Sequence, residues 1–77
     1  MMGRPMNVYQ KSMIRELYPP GTRIELIRME DPWTMLKPGD RGTVTMIDDA
    51  AQIHMAWDSG SGLALIPGED EFKVVKE

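Results

Sequence analysis

The sequence has no cysteine, so neither a disulfide framework nor a thiolate metal site can support it. Histidine occurs once and phenylalanine once, and aromatic residues make up 6% of the 77 residues. A core must therefore be assembled from aliphatic side chains and from the eight methionines, which fill irregular gaps readily. No run approaches the ~18 apolar residues of a membrane-spanning helix. The opening "MMGRPMNVYQ" lacks the apolar stretch of a secretory leader. These absences lead us to expect a cytoplasmic protein without a membrane partner. Nor is there a large excess of one charge, since the net value is -3. The charge is uneven, however. Residues 1–28 carry five basic groups and two acidic ones, whereas residues 29–77 carry four basic groups and ten acidic ones. The first part is thus +3 and the rest -6, an asymmetry that suits either an interaction arm or a basic arm complementing an acidic body.

What is present reads as one short helix followed by short strands. In "MNVYQKSMIRELYPPG" the apolar residues Met6, Tyr9, Met13, Ile14 and Leu17 gather on one side of a helix of about ten residues. Asn7 is placed to cap its start, and Pro19 and Pro20 forbid its continuation. "TRIELIRM" then alternates as a half-buried strand until Ile27, where a bulge or burial on both faces is expected. "EDPWTMLKPGD" reads as a long loop, "RGTVTMID" as a second strand, and "QIHMAW" as a third. Asp58 to Gly62 supplies only turn-forming residues, "LALI" reads as a fourth strand, and "EFKVV" as a fifth. The expected fold is mainly β: a five-stranded SH3-like small barrel over residues 18–77, preceded by an arm, residues 1–17, carrying the helix. Closure would remove exposed sheet edges.

Four segments carry a closer likeness: "YPPGTRIELIRMEDP", "PGDRGTV", "DDAAQIHMAWDSG" and "LALIPGEDEF". Together they resemble a family of small bacterial and phage-associated proteins that is classed only as a domain of unknown function. The resemblance spans Tyr18 to Val75 and implies a fold and a phage or mobile-element setting. It transfers no catalytic residue. Ser59 stands where the family's hairpin usually has Asn, a change that a turn tolerates. The Gly-Thr-Val and Trp-Asp-x-Gly segments are also similar to SH3-like modules beside ubiquitin-ligase domains, which bind peptides. That likeness is analogy alone.

Residue chemistry gives little sign of catalysis. His54 lies on the polar face of its strand without a recognisable nucleophile, so a solvent-facing role is expected. Asp48, Asp49, Asp58, Glu69, Asp70 and Glu71 do not follow calcium-loop spacing, and turns use such residues for local hydrogen bonding. "PGDRGT" lacks the Lys-Ser/Thr of a phosphate loop and leads into a strand, not a helix. We therefore expect no enzyme, no metal site and no cofactor.

Trp57, with Ile53 and Met55, is expected in the core, its indole N–H needing a partner. Trp33 sits in the long first loop, where it either closes the core or forms a binding surface. On the second reading Asp31, Trp33 and Met35, with Pro67 and Asp70 of the "LIPGED" turn, receive a basic or proline-rich protein or peptide. The alternative partner is a nucleic acid, which would need Arg15, Arg23, Arg28 and Arg41 on one face. A weak homo-oligomer through the N-terminal helix is a further possibility.

Overall fold

The computed structural model describes residues 8–29 and 35–76. Helix α1 covers Val8–Leu17, and the strands are β1 (Arg23–Arg28), β2 (Arg41–Ile47), β3 (Ile53–Trp57) and β4 (Glu71–Val74). The strands form one antiparallel sheet in the order β3-β2-β1-β4. Among the described residues the fold is mainly β, with one short helix ahead of the sheet.

The sheet does not close. Among the described residues there are four strands in an open sheet instead of five in a barrel, and "LALI" is not a strand. It touches β3 through one bridge, Ile53 to Leu65, whose two backbone bonds are 2.9 and 2.8 Å. The reason is competition for its backbone groups. The Leu63 N–H is accepted by the Ser61 hydroxyl at 3.2 Å, and the Leu63 carbonyl by the Trp57 indole N–H at 2.8 Å. The Ile66 N–H goes to the Asp70 carboxylate at 2.8 Å. Short polar side chains offer the backbone such alternatives to a ladder.

Alternation along the strands separates two faces. Ile24, Leu26, Val44, Ile53, Met55 and Trp57 turn inward and form the core with Leu36 and Leu65. Trp57 is only 3% exposed, as the sequence pattern implied, and its indole finds the partner just described. Gly42 lies under it, paired with both Ile24 and Trp57. A Cβ there would stand 2.9 Å from the Trp57 Cα, so close approach requires glycine. The irregularity expected at Ile27 is a bulge in the β1–β4 ladder between Leu26 and Arg28.

Helix α1 has the expected length but presents only part of the expected apolar side to the core. Ile14 and Tyr18 pack against it, whereas Met13 and Leu17 are exposed. Asn7, Met6 and the side chain of Tyr9 lie outside the described residues. Tyr18 also meets Phe72 of β4 edge-on, with centroids 5.3 Å apart. Gly21, at φ 95°, then turns the chain out of the Pro19–Pro20 step, donating to the Val44 carbonyl at 2.8 Å.

Candidate functional site

The long first loop leaves β1 after Arg28 and returns through Leu36, which is buried and anchors it. Lys37 to Asp40 forms its closing turn: the Asp40 carboxylate accepts the Lys37 N–H at 3.1 Å, and Gly39 takes φ 96°. Leu26 holds this turn to β1 by two backbone bonds of 2.8 Å, to Gly39 and Asp40. Immediately before these anchors Met35 is 91% exposed. Asp31 and Trp33, the centre of the expected binding edge, lie outside the described residues.

The second half of the expected site is brought to the same end of the sheet. Because β4 runs back along β1, Glu71 stands opposite Arg28 where the loop departs. The turn just before Glu71 therefore adjoins the base of the loop. Pro67 and Asp70 bridge to each other across it, and Gly68 takes φ 92°. The Asp70 carboxylate accepts the Ile66 N–H at 2.8 Å, which fixes the turn from within. The Glu71 carboxylate accepts from the Arg28 Nε at 3.1 Å.

The four arginines do not form a bare basic face. Arg23 and Arg41 share the outer face of the sheet, since Arg23 stands opposite Thr43 and Glu25 opposite Arg41. Each is paired there. Arg23 grips Asp58 with two bonds of 2.8 and 2.7 Å and also donates to the Thr43 hydroxyl at 3.0 Å. The Arg41 Nε donates to Glu25 at 3.0 Å, and Lys73 lies 3.8 Å from the same carboxylate. Arg15 is set apart on the helix, donating to the Asp48 carbonyl at 3.3 Å and facing Asp49 at 3.6 Å.

Two of these contacts were not legible as sites. Asp58 to Gly62 is a turn, with Gly60 at φ 99°, the Trp57 N–H donating to the Ser61 carbonyl and the Trp57 carbonyl accepting from the Gly60 N–H. Yet Asp58 also ties that turn to β1, and the Arg23 guanidinium holds its carboxyl below the usual aspartate value. Asp48 organises the β2–β3 turn similarly. One oxygen accepts the N–H groups of Ala50 and Gln52, both at 2.9 Å, and the other lies 2.9 Å from the His54 Nε2. The hydrogen bond with His54, then those from the backbone, lower its pKa. His54 is on the outer face as expected, but engaged with Asp48. The signal was the acid six residues earlier, across a turn tight enough to fold back.

Asp48 and Asp49, Asp58, and Glu69 and Asp70 remain spread over three separate turns, and Glu71 opens β4. Among the described residues no three acidic or histidine side chains converge in a metal-binding group. No helix among them is long and apolar enough to cross a membrane.

A family model covers residues 9–75, from within α1 to just past β4. The chain belongs to the family Domain of unknown function (DUF4314). No curated protein and no solved structure matches it. Membership of the DUF4314 family carries no activity with it. The site therefore has to be read from its own chemistry.

Proposed function

We propose that this DUF4314 chain is a non-catalytic interaction module that binds a protein or peptide at the first-loop end of its sheet. The observation that carries the reading is Met35, 91% exposed immediately before the buried Leu36 and the turn that bonds to Leu26. A flexible thioether held into solvent makes an adaptable apolar contact. The Pro67–Asp70 turn, fixed at the base of that loop, contributes Pro67, while the exposed Glu69 and the partly covered Asp70 add negative charge. Trp33 and Asp31 belong to the same loop by sequence. Apolar contacts beside carboxylates suit a basic or proline-rich ligand. The return of β4 onto β1, beside a β1-β2-β3 meander, supports an SH3-like ancestry for the sheet. The phage or mobile-element setting rests on sequence resemblance.

Nucleic acid is the weaker reading. Arg15, Arg23, Arg28 and Arg41 each already face a carboxylate of the chain, which reduces what phosphate contact would gain. The test is to select peptides from a display library and map their contacts by amide chemical shifts. Binding should perturb residues 35–40 and 66–71, and Trp33→Ala should weaken it by about 2 kcal/mol, the scale of an aromatic hot spot. Perturbations centred on Arg23 and Arg41, or binding of nucleic acid that falls steeply with salt, would overturn the proposal.

A further inference from the structure

The two edges of the sheet end differently, and the β4 edge carries the alternation of charge of the outer face up to an open boundary. The Val75 N–H donates to the Arg23 carbonyl at 2.9 Å. With Ile24 opposite Val74, Glu25 opposite Lys73 and Leu26 opposite Phe72, the ladder alternation aims the backbone groups of Lys73 and Val75 at β1. Leu26 confirms the phase, because its own N–H and carbonyl bond to the Lys37–Asp40 turn on the other side. The N–H and carbonyl groups of Phe72 and Val74 therefore point away from β1. Among the described residues nothing accepts from or donates to them. At the opposite edge, by contrast, β3 bonds to Leu65 and Ser61.

We infer that this edge pairs with β4 of a second copy of the chain, antiparallel, about a twofold axis at Phe72. Phe72 then faces Phe72 of the second copy in a hydrogen-bonded pair, using the groups that point outward. In the same register Glu71 stands opposite Lys73 of the second copy, twice. Opposite charges directly across an antiparallel pair attract, whereas like charges repel. Shifting the axis to Lys73 would set lysine against lysine, so the charges select the first register.

The side-chain row on the outer face supports this. Arg41, Glu25 and Lys73 already alternate in sign across β2, β1 and β4, at 3.0 and 3.8 Å. Glu71 of the second copy, followed by its ion-paired Arg28 at 3.1 Å, continues the alternation across the junction. Strand addition of this kind draws affinity from main-chain bonds and specificity from side-chain complementarity. A four-residue strand buries less than a standard interface, so the dimer is weak.

The test is the weight-average mass of the intact chain in solution, followed from about 10 μM to about 1 mM. The wild type should rise from 8.8 kDa towards twice that value. Val74→Pro removes an outward N–H without taking a bond from β1, and edge strands tolerate proline there. That variant should stay monomeric, with its fold checked by circular dichroism. Glu71→Lys and Lys73→Glu should each stay monomeric alone, because each sets like charges opposite each other. Mixed in equal amounts they should associate, since every cross-strand pair is then opposite in sign. A wild type that stays at the monomer mass throughout would overturn the inference. So would a folded Val74→Pro that dimerises as well as the wild type, or a mixture no heavier than its parts. The last two results would direct attention to Met13 and Leu17 on α1.

Discussion

The edge at β3 and the edge at β4 face the same physical problem and meet it in opposite ways. At β3 the segment from Ser61 to Ile66 lies alongside, although it forms only one bridge. The Ser61, Trp57 and Asp70 side chains take the backbone groups of Leu63 and the Ile66 N–H, while the segment bonds β3 at Ile53 and Trp57. At β4 no such segment follows among the described residues. The edge is instead short, and the lysine at its centre opposes pairing in one register while favouring it in another. An edge can thus be removed by local side-chain chemistry or left open and controlled by charge.

The most severe way to break the covered side is Trp57→Ala. It removes a buried ring and the hydrogen bond that holds Leu63, and should cost about 3–5 kcal/mol in a chemical denaturation experiment. For a domain this small that loss is comparable with the whole folding free energy. Gly42→Ala attacks the same place from below. Its Cβ would meet the Trp57 backbone at 2.9 Å and the Ala56 carbonyl at 3.0 Å, neither of which can easily give way. A loss of about 1–3 kcal/mol is expected, read in the same way.

Acid provides a gentler probe. Asp48 and Asp58 both have pKa values lowered on folding, by His54 and by Arg23 respectively. A lowered carboxylate stabilises the fold above its unfolded value, here 3.8, and that contribution is lost as pH falls through the folded value. The melting temperature should therefore drop below about pH 4, and Asp58→Asn should flatten that drop. If the variant and the wild type follow the same acid profile, the Arg23–Asp58 clamp contributes nothing to folding. The smallest effect is expected at Met35, where Ala should change stability by less than about 0.5 kcal/mol because the side chain is in solvent.

What could be read from the sequence was local. The alternation of Ile53, Met55 and Trp57 predicted both the strand and its buried face, and the break at Ile27 marked a bulge. The "LALI" run has strand-like composition, yet composition does not show that Trp57, Ser61 and Asp70 take its backbone groups. The helix was legible in extent, but its side only in part, through Ile14. Met13 and Leu17 are exposed because Ile14 and Tyr18 meet the core, and that orientation depends on where the sheet lies. For the candidate site, the turn residues Pro67 and Asp70 were readable from local chemistry. The arginine partners were not, since Arg23 and Asp58 are 35 positions apart and meet only through strand pairing. Trp33 and Asp31 lie outside the described residues.

The central contrast between the two edges can be measured directly by amide hydrogen exchange on a dilute sample. Lys73 and Val75, bonded to β1, should be protected, as should Ile53 and Leu65 at the covered edge. Phe72 and Val74 should exchange quickly at low concentration and gain protection as the protein is concentrated. Protection of Phe72 and Val74 in the dilute monomer would contradict the account, for it would mean that the β4 edge is already covered by its own chain.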